Sequence, residues 1–259
     1  MIRAKKSLGQ NFLIDKNVIN KILDITKIKD KHILEVGPGT GSLTSEIIKK
    51  KPKKFYVIEK DDKLASLLKN EFKGDLTVIN SDVLSYDESK FSKEKLTVFG
   101  NLPYNISTEI LCKWILNLKT DYFWFECLIL MFQKEVADRI IAKPGSQNYG
   151  RLSILTNWLT KSKKLFDIPS DAFIPKPKVK SSVIQLKPLS KPLYDVSFKS
   201  VEKITHMAFS QRRKMLKTSL KTINGQKILK ELGISPNLRP ENLTVIDFCK
   251  IAKKSFEQK

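Results

Sequence analysis

The chain has 259 residues, 41% of them hydrophobic, enough for one large domain or a large domain with an appendage, and this excludes a disordered polymer. Its formal net charge of +21, from 48 basic against 27 acidic residues, points to a polyanionic partner reached through phosphate contacts. The longest uninterrupted apolar run, Cys127 to Phe132, is far shorter than the ~20 residues of a membrane span, so no membrane partner is expected.

Of the basic residues 42 are Lys and 6 are Arg, a skew that A+T-rich coding produces unaided. Such bias explains the choice of lysine over arginine but not the shortage of acids. The first residues, Met1-Ile2-Arg3-Ala4-Lys5-Lys6, are basic without a following apolar core, so no secretory signal is read and a cytoplasmic protein is expected. Cys112, Cys127 and Cys249 are odd in number and widely spaced, which suits buried, reduced thiols. His32 and His206 belong to no ligand motif, and no metal is expected.

In chain order, His32 to Val36 reads as a buried strand and Ser42 to Lys50 as a helix with Leu43, Ile47 and Ile48 on one face. Phe55 to Ile58 is a strand, followed by a helix through Leu64, Leu67, Leu68 and Phe72. Leu76 to Ile79 and Leu96 to Phe99 are strands, and Ser107 to Leu118 a helix. A strand from Cys127 to Phe132, helices around Glu135 to Ile141 and Tyr149 to Leu159, and a strand from Val183 to Leu186 complete the series. This alternation predicts an α/β fold with a mostly parallel, doubly wound sheet, which binds ligands outside the carboxyl ends of its strands.

The segment Ile168 to Pro192 carries five prolines and reads as loop, strand and linker. Beyond it Phe198 to Leu220, Gly225 to Leu232 and Val245 to Phe256 read as helices with no further strand. Two domains are therefore expected, residues 1–190 and a small helical domain over 191–259. The last 70 residues hold 15 basic against 6 acidic residues, a denser positive bias than the rest.

The first strand runs into Glu35-Val36-Gly37-Pro38-Gly39-Thr40-Gly41, whose glycines let backbone approach a ligand closely. The dinucleotide fingerprint fails, since its third glycine would stand at Ser42, and no Walker lysine is present. The spacing resembles the first motif of class I methyltransferases, where S-adenosylmethionine lies against the loop, here on Gly37 and Gly39. Glu59 ends the second strand, where a carboxylate accepts both ribose hydroxyls. Asp82 ends the third and can accept from an adenine amino group.

The fourth strand runs into Asn101-Leu102-Pro103-Tyr104. An exocyclic purine amine is a poor nucleophile because its lone pair is spread into the ring. Asn101 Oδ1 and the Leu102 carbonyl can accept its two N–H bonds and favour a pyramidal, attacking nitrogen, with Pro103 stiffening the carbonyl and Tyr104 offering a face to the base. A stacked base must swing out to reach such a pocket.

Ser7 to Leu13, the glycine loop, Val57 to Glu59, Asn101 to Thr108, Phe132 to Val136, Tyr149 to Ser153, Ala172 to Val179 and Gln211 to Lys214 occur in one order and run nearly end to end. On these segments the chain resembles the small-subunit (16S) rRNA adenine N6,N6-dimethyltransferases of the bacterial KsgA type. The resemblance implies a class I methyltransferase fold, Rossmann-like, with a mostly parallel seven-stranded sheet and an all-helical C-terminal domain that binds rRNA. It implies two methyl groups placed on each of two adjacent adenosines near the 3′ end of small-subunit rRNA, with the immature small ribosomal subunit as partner and a monomeric enzyme. It also implies cofactor contacts from Asn11, Leu13, Gly37, Glu59, Asp82 and Asn101. Phe173 would sandwich the flipped adenine against Tyr104, Lys178 would hold phosphate, and Arg212 and Arg213 would lie on a basic helix facing rRNA.

Two rival readings stand beside this one. A large-subunit rRNA adenine methyltransferase of the antibiotic-resistance type shares the fold and the tetrapeptide logic, but Tyr149 to Ser153 and the Gln-Arg-Arg-Lys run favour the small subunit. An assembly factor acting mainly by binding would not need Gly37, Glu59, Asn101 and Tyr104 intact.

Overall fold

The structure, a computed structural model, describes residues 4–5, 8–91, 94–120 and 124–256. Met1, Ile2, Arg3, Lys6 and Ser7, which enter the sequence reading, lie outside the described residues. In chain order the elements begin β1 (Phe12–Leu13), α1 (Lys16–Leu23), β2 (His32–Val36), α2 (Ser42–Lys49), β3 (Lys54–Glu59), α3 (Asp62–Glu71) and β4 (Thr77–Asn80). They continue β5 (Leu96–Asn101), α4 (Ser107–Thr120), β6 (Phe125–Gln133), α5 (Lys134–Ile140), α6 (Arg151–Leu159), β7 (Thr160–Ile168), β8 (Phe173–Ile174) and β9 (Ser181–Pro188). Last come α7 (Phe198–Ser210), α8 (Leu216–Ser219), α9 (Gly225–Glu231) and α10 (Val245–Phe256).

Two compact units result, one of residues 1–137 and 163–188, the other of residues 138–162 and 189–259. The second unit thus takes residues 138–162 as well as the C-terminal stretch, whereas the sequence reading kept them in the first. The reason is local packing: Asn157 of α6 donates to the Ile140 carbonyl at 2.9 Å, and Trp158 Nε1 donates to the Tyr194 carbonyl at 2.9 Å.

The first unit is built on a seven-stranded sheet in the order β4-β3-β2-β5-β6-β9-β7. β2, β3, β4, β5 and β6 run parallel to their neighbours and β9 runs antiparallel to β6. Every residue of β2 is buried, as a parallel strand covered on both faces requires. The order reverses between β2 and β5, so their carboxyl ends flank the crevice where such sheets take ligands. Side-chain caps fix where two helices start: Asp15 accepts from Asn17 N–H (2.8 Å) and Val18 N–H (3.2 Å), and Asp61 from Lys63 N–H (3.0 Å). A two-stranded ribbon of β1 and β8 pairs Leu13 with Phe173.

β7 is absent from the sequence reading. Lys161, Lys163 and Lys164 break its apolar alternation, and lysine suits an edge strand because it discourages further pairing. Cys127 and Cys249 are buried and Cys112 is half-buried, and none of the three forms a disulfide. Among the described residues no helix is long and apolar enough to cross a membrane.

The second unit is helical, and aromatic contacts knit it: Phe209 lies 6.4 Å from Tyr149 and 5.7 Å from Phe248, ring centre to ring centre. The helix expected over Phe198 to Leu220 is interrupted. α7 stops at Ser210, Gln211 leaves helical geometry (φ −126, ψ 54), and Lys214 N–H closes a turn onto the Gln211 carbonyl at 2.8 Å.

Candidate active site

One cavity in the first unit lies at the carboxyl ends of β2, β3, β4 and β5, and it is lined by Gly37, Gly39, Glu59, Asp82 and Asn101 through Tyr104. Parallel register brings these residues together: Val36 pairs with both Ile58 and Gly100, which sets the glycine loop, Glu59 and Asn101 side by side.

Gly37 and Gly39 turn the chain at φ +70 and +60, the left-handed region that side chains avoid. A Cβ on Gly39 would stand 2.7 Å from the Phe12 ring, and one on Gly37 would stand 3.0 Å from the Asn101 carbonyl oxygen. Glycine here serves close approach as well as backbone freedom. The loop is drawn inward by the Gly37 N–H, which donates to the Ile58 carbonyl at 3.0 Å.

Glu59 is buried and accepts from the Gly39 N–H at 3.2 Å and the Asp61 N–H at 2.9 Å, one on each carboxylate oxygen. Burial pushes its carboxyl pKa up, opposed by those two N–H groups. Each oxygen keeps a lone pair for a hydroxyl donor. Asp82 bonds Lys60 Nζ at 2.7 Å and the Leu84 N–H at 2.9 Å, and these two partners hold its carboxyl below the usual range. Its ionised form suits an amino-group donor. Asp61, the cap of α3, is bound by Lys5 Nζ at 2.6 Å, which ties the N-terminal segment to the β3 end.

Asn101 ends β5, and its Nδ2 donates to the Asn11 carbonyl at 2.7 Å. A carbonyl can only be met by the amide nitrogen, so the edge left to accept is Oδ1. Leu102 buries its side chain, 1% exposed, against Gly100, and the residue belongs to the cavity lining. The turn is closed by the Ile106 N–H on the Pro103 carbonyl at 3.1 Å and by the Ser107 hydroxyl on the Tyr104 carbonyl at 3.2 Å. The Tyr104 hydroxyl is hydrogen-bonded to Ser181 Oγ at the start of β9.

Other expected residues lie elsewhere. Leu13 is buried in the hydrophobic core and borders only a small hollow behind the glycine loop, because β1 turns its neighbour Phe12 toward the cavity instead. Phe173 is 1% exposed in the same core, so in this conformation it offers no face to a base. Lys178 is exposed and outside the cavity lining. In the second unit, Arg212 bonds Glu241 at 2.9 Å and the Gln147 carbonyl, so in the RNA-free protein its guanidinium is already engaged. Arg213 and Lys214 are exposed, on a turn rather than on the expected helix.

The sequence alone does not single out Phe12, Lys5, Asp61 and Ser181 as site residues. Asp61 carries a usable signal, a capping residue ahead of an apolar-periodic run. Ser181 carries none, since its bond to Tyr104 spans 77 residues.

A glycine cradle beside two carboxylates at successive strand ends, with an amide acceptor at the next strand end, matches adenosine binding joined to amine chemistry. The ribosomal RNA adenine dimethylase family model matches residues 1–256. The chain is 53% identical over 98% of its length, and 97% of the relative's, to the ribosomal RNA small subunit methyltransferase A of Pelagibacter ubique (strain HTCC1062). It is 42% identical to the protein of the same name from Wolbachia sp. subsp. Drosophila simulans (strain wRi), over 97% of this chain and 93% of that one. A dimethyladenosine transferase from Plasmodium falciparum superposes with a TM-score of 0.80 at 27% identity, covering 93% of this chain and 95% of that one. The 23S rRNA methyltransferase ErmE, at 23% identity and a TM-score of 0.69 over 96% of this chain and all of that one, shares the fold. A family match that leaves only the last three residues uncovered accounts for both the cavity and the tetrapeptide beside it: the chain belongs to the ribosomal RNA adenine dimethylases, methyltransferases of the class that uses S-adenosylmethionine.

Proposed function

We propose that this protein dimethylates two adjacent adenosines near the 3′ end of small-subunit rRNA, acting as a cytoplasmic monomer on the immature small subunit. The observation that carries the reading is Asn101: its amide nitrogen is held by Asn11, and Oδ1 is left as the acceptor beside the cavity.

S-adenosylmethionine, when bound, supplies an electrophilic methyl carbon on sulfur. Glu59 would accept from the ribose hydroxyls, Asp82 from the adenine amino group, and the Gly37–Gly39 backbone would admit the amino-acid portion without a Cβ in the way. On the target side Asn101 Oδ1 and the Leu102 carbonyl accept the two N–H bonds of N6. They would localise its lone pair toward the methyl donor, and with no strongly basic side chain required, the N6 proton displaced by methylation would pass to solvent. Tyr104, braced by Ser181, is the platform for the base.

Phe173 joins that platform only if β8 shifts enough to uncover its ring. Arg213 and Lys214, exposed in a basic unit, are phosphate contacts, and Lys178 is a further one. Incubating purified immature small and large subunits in parallel with methyl-labelled cofactor tests the reading. Label confined to the small-subunit rRNA is expected, and label confined to the large subunit would reverse it.

A further inference from the structure

The first unit carries a second concentration of charge at the end of its sheet away from the cavity. Residues 27–31 and 49–54 hold eight lysines and one acid, Asp30. The fold joins these two segments: Lys53 N–H donates to the Lys31 carbonyl at 2.8 Å, Asp30 N–H donates to the Lys51 carbonyl at 3.1 Å, and His32 pairs with Lys54 in the sheet. Three of the lysines are neutralised, Lys31 by Glu126 at 2.9 Å, Lys49 by Glu46 at 2.6 Å and Lys50 by Asp24 at 2.8 Å. Lys27, Lys29, Lys51, Lys53 and Lys54 are exposed and form no ion pair among the described residues. Lys27, Lys29 and Lys53 face one open hollow whose rim also carries Lys95, Asp30 and Glu94.

A coding bias toward lysine spreads the residue along the chain. It does not explain two loops locked together so that unpaired Lys27, Lys29 and Lys53 face one hollow, with exposed Lys51 and Lys54 on the same joined segments, where like charges repel and cost stability. Nearby His32 registers the same field. Burial lowers its pKa first, and Lys53 and Lys54 lower it further against an opposing pull from Glu94. β2 separates this surface from the glycine loop by five residues, about 16 Å at ~3.3 Å per residue. That is several nucleotide spacings along a strand, so the nucleotide that enters the cavity does not itself reach this surface.

We propose that Lys27, Lys29, Lys51, Lys53 and Lys54 form a second RNA-backbone contact, gripping the phosphates of an rRNA segment distinct from the one that enters the cavity. This rests on the rRNA reading above. The surface reads no base sequence. It adds affinity and orientation for a folded, multi-helix RNA.

The test is binding of the full chain to small subunits across a salt series, comparing wild type with a variant carrying Lys27→Gln, Lys29→Gln, Lys53→Gln and Lys54→Gln. Cofactor affinity and the unfolding midpoint are measured on both to confirm an intact fold; should the quadruple variant fold poorly, the pairs Lys27→Gln/Lys29→Gln and Lys53→Gln/Lys54→Gln are used instead. The expected result is a log–log salt slope shallower by roughly 0.7 to 0.9 for each phosphate no longer neutralised, with weaker binding at low salt. An unchanged slope and affinity would overturn the proposal while leaving wild-type methylation of the small subunit untouched. A change seen with intact subunits but not with protein-free rRNA would also overturn it, in favour of an acidic protein surface. Absence of wild-type methylation would instead strike the parent reading.

Discussion

Asn101 Nδ2 and the Asn11 carbonyl meet at 2.7 Å across 90 residues of sequence, joining the N-terminal segment to the end of β5. One side chain thus anchors the cofactor side of the cavity and presents its acceptor to the target side. We expect Asn101→Ala to lower methyl transfer by about 100-fold, as for loss of one preorganised hydrogen-bonding group at a reacting centre, with rRNA affinity retained. Asn101→Asp keeps an acceptor but cannot donate to Asn11. It should therefore weaken cofactor binding as well, which isothermal titration reads directly.

The Tyr104–Ser181 bond braces the base platform from β9. Ser181 is fully buried, so Ser181→Ala leaves the phenol without its partner. At about 1 kcal/mol for such a bond, transfer should fall roughly fivefold. Tyr104→Phe keeps the ring and should give a similar loss, and the double variant no more than either alone. Additive losses in steady-state rates would show that the two residues act separately.

Lys113 and Glu88 stabilise the loop that carries Asp82. Lys113 Nζ lies 2.8 and 3.0 Å from the two Glu88 oxygens and donates to the Val83 and Tyr86 carbonyls, while Trp114 Nε1 donates to Glu88 at 2.7 Å. Glu88 is 1% exposed, so Lys113→Met strands a buried carboxylate at a cost of about 3 kcal/mol or more. Urea unfolding should show that loss, together with weaker cofactor binding because Asp82 and Val83 line the cavity. Adding Glu88→Gln, which removes the charge but keeps an acceptor for Trp114, should recover most of the stability.

Glu35 sets a pH dependence. It is 2% exposed, its Oε2 accepts from the Thr44 hydroxyl at 2.7 Å, and burial pushes its pKa from 4.5 up to about 8 against that bond. The folded state therefore keeps a proton that the unfolded chain has lost, and stability falls as pH rises from 4.5 toward about 8. In the cofactor-free protein, Glu35→Gln should flatten that fall. Denaturant midpoints that decline equally in both proteins across the range would contradict it.

Strand-end positions were legible in the sequence because parallel register converts them directly into a site: Gly37, Glu59, Asp82 and Asn101 all end or follow such strands and all line the cavity. What escaped depends on the third dimension. β7 was hidden because its lysines suit a sheet edge and break the alternation that marks a strand. Phe173 reads from its motif as a base-stacking ring, yet pairing with β1 turns it into the core. The Gln211–Lys214 run has helical composition, but the turn there and the Arg212–Glu241 ion pair are tertiary events with no local signature.

The most direct test is mass spectrometry of the 3′-terminal rRNA fragment after immature small subunits are incubated with the protein and S-adenosylmethionine. The account predicts four added methyl groups, two on each of two adjacent adenosines, and at most a trace of them over the same interval with Asn101→Ala. Unmodified adenosines with the wild-type protein, or methylation undiminished in Asn101→Ala, would contradict it.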